Sequence, residues 1–368
     1  MVREELVCKV AMSFLEGIGP IRTSKILSKV GYVDFFTLPL NDIKFLTGLS
    51  DNQLCAMRRD LAIEFATREI EACEREQIDP IFIQDQKYPR RLKQCSDAPI
   101  ILYRRGTATL NPRRIVAVVG SRMNTEYGKD LVKSFVEGIS DLDCTVVSGL
   151  ALGIDSIAHS SSLRFGVKTI AVLGSGLNQI FPQRNYTIAE KILREGGGLI
   201  SEYSLFSKPV RENFPVRNRI IAGLCDATIV IESRERGGAL ITAHLANDYN
   251  RDVFAFPGSV YQQQSKGCNL LIQNQKAHLI TEAKDFIKLM GWEAPKTINR
   301  RLAFPDSLNE NEQLMVRILC QFESLYLDEL AMKSGFSMAS LQGILLGLEL
   351  KGLVVKTAGL KYRSQCSQ

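Results

Sequence analysis

The sequence holds only three histidines, and its nine cysteines (Cys8, Cys55, Cys73, Cys95, Cys144, Cys225, Cys268, Cys320, Cys366) include no CxxC pair. No zinc-ligand spacing can be assembled from them. Several of the cysteines sit inside apolar runs, as small hydrophobes do in a reducing compartment. No apolar stretch approaches the ~20 residues that span a bilayer. The N-terminus, MVREELVCKV, carries acidic residues and no long apolar run, so it does not read as a signal peptide. A cytoplasmic protein with no membrane partner is expected. Nucleotide motifs are missing too. No GxxxxGK[ST] occurs, and GSGLNQ departs from GxGxxG at its third glycine, so neither an ATP nor an NAD cofactor is expected. Without a GxSxG elbow, Asp155 and His159 near Ser148 do not make a nucleophilic triad. Asp155 reads as a helix-start residue and His159 as a hydrogen-bonded or packed one.

What remains is an ordinary globular composition. Of 368 residues, 45% are hydrophobic and 23% charged, with a formal net charge of +6. That length supports two or three domains, and a mildly basic chain permits a nucleic-acid partner without requiring one. Residues 1–76 read as an all-helical domain. Its one sharp break, FLEGIGPIRTSKIL (Phe14 to Leu27), resembles a helix-hairpin-helix or SAM-like element. The glycine turn there is either a phosphate contact or a plain interhelical turn. A connecting segment with short extended pieces follows over 77–114.

From Ile115 the texture changes. Apolar β-branched runs (IVAVVG, TVVSG, KTIAVLG, GLISEY, ATIVIES, DVFAFPG) alternate with helical segments, and none shows in/out alternation. Such strands belong to a parallel sheet covered on both faces. The expected fold class is therefore α/β, with a doubly wound Rossmann-like sheet over 115–292. A linker over 293–309 leads to three helices and a wing-like strand pair over 310–368, the pattern of a winged helix. Its third helix, MASLQGILLGLELKG, is poor in base-reading side chains, which favours a structural or partner-binding role over groove reading.

Ligands on open parallel sheets bind beyond the carboxyl ends of the strands. There the chain has Arg122 after the first strand and a glycine-hinged helix start at Gly149 and Gly153 after the second. Gly174 and Gly176, with Phe181 and Arg184, follow the third, and another hinge, Gly237–Gly238, follows the fifth. Such hinges expose backbone amides suited to an anion. The richest stretch lies after the fourth strand: SKPVRENFPVRNRIIAGL, Ser207 to Leu224, with Lys208, Arg211, Phe214, Arg217, Asn218 and Arg219. Pro215 is expected to hold Phe214 extended and outside a helix, where it is either a plug over the sheet or a base-stacking platform. Arg217 and Arg219 have a second reading as structural partners of Glu202 and Glu232, with Glu202 orienting an arginine rather than acting as a base.

Taken together, GSR (Gly120–Arg122), SGLALGIDSIAH (Ser148–His159), LGSGLNQIFPQRN (Leu173–Asn185), FPVRNRIIAGL (Phe214–Leu224), GGALITA (Gly237–Ala243), DVFAFPGS (Asp252–Ser259) and SKGCNLLIQ (Ser265–Gln273) resemble the DprA/Smf family. This is the DNA-processing protein A of bacterial transformation. The resemblance implies single-stranded DNA (ssDNA) binding without catalysis, a homodimer, and loading of the RecA recombinase onto incoming DNA. It assigns DNA contacts to Arg122, Arg211, Phe214, Arg217, Asn218 and Arg219. Where the family often has a lysine after the proline of its YPxxN loop, this chain has Gln183, so that contact is lost or shifted to Arg184. Self-association is implied near Ile272 and Leu279. The rival class is an enzyme of the nucleoside-monophosphate hydrolase type, but RERGGALIT lacks the glutamate and threonine of the PGGxGTxxE loop.

Overall fold

The computed structural model describes residues 3–292, 308–320, 325–357 and 361–364. The linker expected over 293–309 therefore lies almost wholly outside the described residues. Two compact units emerge, Met1–Gly291 and Trp292–Gln368.

The first unit is built on a nine-stranded sheet. Its strands are β1 (Asp79–Phe82), β2 (Ile101–Gly106), β3 (Arg114–Gly120), β4 (Cys144–Ser148), β5 (Lys168–Val172), β6 (Gly198–Ser201), β7 (Ala227–Ile231), β8 (Asp252–Ala255) and β9 (His278–Leu279). Their spatial order is β1-β2-β6-β5-β4-β3-β7-β8-β9. From β6 to β9 every pairing is parallel, while β2 runs antiparallel to both β6 and β1. The connecting segment with short extended pieces thus supplies the last two strands on this side of the sheet, with β1 at its edge. β4 and β7 are buried along their whole length, as apolar runs without alternation require. The chain winds from β3 through β4 and β5 to β6, then returns to the other side of β3 as β7. The sheet's switch point therefore lies between β3 and β7.

The helices expected between strands form within a few residues of their expected ends: Glu126–Gly138, Ile154–Arg164, Tyr186–Arg194 and Gly238–Asp248. The short strand β9 and the helices Lys266–Gln273 and Ala283–Leu289 complete the far edge. Before β1, the all-helical stretch breaks more often than expected, into short helices ending in the long helix Arg59–Glu76. It does not have a core of its own. Val10, Phe35, Ala66 and Ile70 share one buried cluster with Tyr103 of β2, Ala171 of β5 and Leu199 of β6. Buried Glu69 ties the long helix to the loop after β6, accepting from Ser204 Oγ and Leu205 N, both at 2.7 Å.

The second unit has helices Glu310–Cys320, Leu327–Ser334 and Met338–Leu350, with strands Val354–Thr357 and Lys361–Ser364 paired antiparallel. A third short strand, Leu325–Tyr326, joins them. Its core is Met315, Leu319, Leu330, Leu341, Leu345, Leu348 and Val354. This is the winged-helix arrangement the helix spacing predicts.

Candidate nucleic-acid interface

All loops singled out from the sequence leave the carboxyl ends of β3 to β7, so the topology brings them to one edge of the sheet. The arginine-rich stretch takes a different local form from the one expected. Its helix starts at Asn213 and runs to Leu224. Pro215 lies in the first turn, where its missing N–H would have had no intrahelical partner. Phe214 is therefore helical rather than extended. Arg217, Asn218 and Arg219 follow at helical spacing, and this periodicity sends them in different directions.

Arg217 points inward and is buried. Its Nη1 donates to the carbonyls of Gly149 (2.8 Å) and Val172, closing the ends of β4 and β5 together. Asp155 lies on the other side of Gly149 and accepts from the backbone N–H of Gly149 (3.1 Å) and Ala151 (3.4 Å). The nest expected to hold a ligand anion here is filled by the protein's own carboxylate. Gly149 is required for room: a Cβ would stand 2.5 Å from Arg217 Nη2 and 2.7 Å from Asp155 Oδ2. Burial raises the Asp155 carboxyl and Arg217 opposes it, while burial pushes Arg217 down to about 10. Arg217 is therefore still charged at neutral pH. Gly153, at φ +82, turns the chain so that Ile154 N donates to Ser121 O at 3.1 Å, which employs that amide internally as well.

His159 sits behind this pair. Thr169 Oγ1 donates to Val146 O and lies 2.7 Å from His159 Nδ1, so the ring must donate from Nδ1. Burial and the nearby Arg217 charge push it down to about 3, a neutral packed imidazole. Arg219 follows its structural reading, pairing with Glu202 and donating to Asp97 O. Burial raises Glu202 and Arg219 counters it, which fits an orienting carboxylate rather than a base.

The outward set is different. Arg122, Arg184, Lys208 and Arg211 are exposed, and none is ion-paired with a carboxylate among the described residues. The Arg122 guanidinium lies 5.7 Å from the Phe214 ring centroid, and Phe181 lies 5.5 Å from Phe214, tilted by 39°. Gly174 leaves space for this ring: a Cβ there would meet Phe214 at 3.1 Å. Gly176 N donates to Ser207 O (3.0 Å) and holds the root of the basic stretch. Between β3 and β7 opens a pocket of about 280 Å³ lined by Ser121, Arg122, Asn218, Arg234, Arg236 and Gly238, among others. Gly237 N is bonded to Arg234 O, but Gly238 faces clear space at the start of its helix. Arg234 and Arg236 are not among the residues expected from the sequence; their signal there is two cations just before the Gly237 hinge. Ile272 is half-buried and Leu279 is 49% exposed on edge strand β9.

A mostly parallel, doubly wound sheet with its loops gathered at one switch point, and without a dinucleotide fingerprint, defines a Rossmann-like protein. The chain belongs to the DNA recombination-mediator protein A family, whose profile matches residues 79–291, and the DprA winged helix domain matches residues 305–359. It is 36% identical to protein Smf of Synechocystis over 79% of this chain and 81% of that protein. With the DNA processing protein DprA of Streptococcus pneumoniae it shares 42% identity over 56% of this chain and 72% of that protein. The X-ray structure of the pneumococcal protein matches with a TM-score of 0.66, over 77% of this chain and 97% of that one. A structure of DprA from Helicobacter pylori, described with that protein's ssDNA binding mode, matches at 27% identity and a TM-score of 0.53, over 59% of this chain and 96% of that one.

Proposed function

We propose that this chain is a non-catalytic ssDNA-binding protein that receives DNA in transformation or recombination, protects it, and delivers it to a RecA-type recombinase as a homodimer in the cytoplasm. One observation carries the reading: Arg122, which lines the switch-point pocket, also lies over the ring of Phe214, itself beside Phe181. Exposed arginines take phosphates and aromatic faces take bases of any sequence. Arg122, Arg184 and Arg211 supply backbone contacts, with Asn218 and the Gly238 helix start on the pocket wall. Arg217, Arg219, Gly149 and Gly153 support these groups from behind. The carboxylate lining the pocket, Asp155, already accepts two backbone amides, so it is not poised as a base. Leu279 and Ile272 at the β9 edge supply an apolar patch for the second protomer. The recombinase partner rests on family membership.

The test is competition between single- and double-stranded oligonucleotides at fixed salt, combined with a salt titration. Single strands should win, and log affinity should fall by ~0.7 per neutralised phosphate against log salt. Duplex preference, or release of free base from nucleoside monophosphates, would overturn the reading.

A further inference from the structure

Beyond the pocket, on the β8 side, the loop from Phe256 to Ser265 carries an aromatic side chain that nothing in the fold employs. Tyr261 is 93% exposed and its neighbour Val260 is 70% exposed. The loop beneath them is firmly rooted. Asn269 holds both polar groups of Gly258, accepting from its N at 3.2 Å and donating to its O at 2.9 Å. Tyr127 donates to Pro257 O at 2.6 Å, and its ring stands where a Gly258 Cβ would meet it at 3.6 Å. Ser121 Oγ donates to Gln264 Oε1 at 3.1 Å, which ties this loop to the one that carries Arg122. A turn follows, with Gln262 N bonded to Ser259 O and Tyr261 N to Ser259 Oγ. An amphipathic ring thus stands in solvent on an anchored base.

Its position along the sheet gives it meaning. The Phe181 platform leaves β5, Arg122 leaves β3, Arg234 and Arg236 leave β7, and Tyr261 leaves β8. In the order β5-β4-β3-β7-β8 these are four strand steps, or ~19 Å. A stacked single strand carries one phosphate per ~3.4 Å, so this distance suits about five or six nucleotides. Met123, 67% exposed, lies between, with its Sδ 4.0 Å from Arg234 Nη2.

We infer that Tyr261 is a second base-stacking platform, and that the ssDNA path crosses the switch-point pocket from Phe214 to Tyr261, its phosphates passing Arg122, Arg234 and Arg236. This rests on the ssDNA reading above and adds a direction to it: the strand leaves each protomer beside the β9 edge. Charge complementarity selects the occupant, since three exposed cations lie between the two aromatic sites and only Glu235 opposes them in that loop.

The experiment uses the full chain and an oligo-dT bearing 5-iododeoxyuridine at single positions, crosslinked by light and mapped by mass spectrometry. Binding is measured in parallel for wild type, Tyr261→Ala, Tyr261→Phe and Phe214→Ala. The expected result is crosslinks at Phe181 or Phe214 and, about five or six nucleotides away, at Tyr261. Tyr261→Ala should bind at least ~5-fold more weakly, the low end for one stacked base, and Tyr261→Phe near normally. Crosslinks at Phe214 alone, with unchanged affinity for Tyr261→Ala, overturn the second platform and leave the ssDNA reading standing. No specific ssDNA binding in the wild type overturns both. A Tyr261→Ala variant altered in oligomeric state but not in DNA affinity assigns the patch to self-association and also overturns the inference.

Discussion

Two groups of arginines gather at one edge of one sheet, yet they sit in opposite surroundings. Arg217 is enclosed by carbonyl groups and Arg219 is locked to Glu202, while Arg211, Arg122 and Arg234 stand in solvent. The helix Asn213–Leu224 turns Arg217 and Arg219 toward partners in the fold, whereas Arg211 precedes it and Arg122 and Arg234 lie in other loops. Residues on its inward face close the sheet, and its first turn faces outward with Phe214. The lesson is that a basic cluster in sequence is two sets in space, one built into the fold and one left in solvent.

The sharpest way to break this contrast is Arg217→Ala. It orphans two buried carbonyls and leaves Asp155 without its compensating charge, so a loss of about 3–5 kcal/mol is expected in urea unfolding. A variant of native stability that only loses DNA binding would show Arg217 to belong with the outward set. Arg219→Ala is next, at about 2 kcal/mol, since Glu202 is left raised and less well paired. Glu202→Gln in the same background should recover part of the loss.

Acid comes third. His159 is held at about 3, below its ordinary 6.5, so the unfolded chain takes up the proton first. The stability this neutral ring contributes is complete above pH 6.5. It is lost as pH falls from there toward 3, by at most ~1.4 kcal/mol per pH unit. Asp155, Glu69 and Glu202, all raised by burial, run the other way, with stability present at low pH and lost as pH rises through their raised values. The ring resonance of His159 should not move between pH 5 and 8; a midpoint near 6.5 would place the ring in solvent. The smallest change in stability is expected for the double substitution Arg122→Ala with Arg211→Ala, within about 0.5 kcal/mol. Its salt slope for ssDNA should nevertheless flatten by ~1.4, two phosphates' worth. An unchanged slope would remove both residues from the interface.

Much of this was legible in the sequence. Six strands, the alternating helices and the winged helix follow from apolar runs and helical spacing, because burial on both faces leaves little choice of residue. The clustering of loops at one edge follows from parallel winding. Other features depend on contacts distant in sequence. Nothing local marks β1 and β2 as part of the sheet, since they join it only through β2, whose partner β6 is almost a hundred residues on. Pro215 pointed to an extended Phe214, but a proline is equally at home in a first helical turn, and only the packing of Ile220 and Leu224 decides between them. The Gly149 hinge looked like a ligand nest because its amides do bind an anion; the anion is Asp155, six residues away. Arg234 and Arg236 acquire meaning only once β7 lies beside β3.

The two ends of the sheet bear on how copies of this chain can pair edge to edge. β9 has two residues, and β1 has four, one of them Pro80, which lacks an N–H to give. A longer open edge would let crowded copies zip together strand by strand into a filament. With edges this short, little backbone is on offer for strand-by-strand pairing between copies, and the folded sheet is a poor template for a cross-β aggregate.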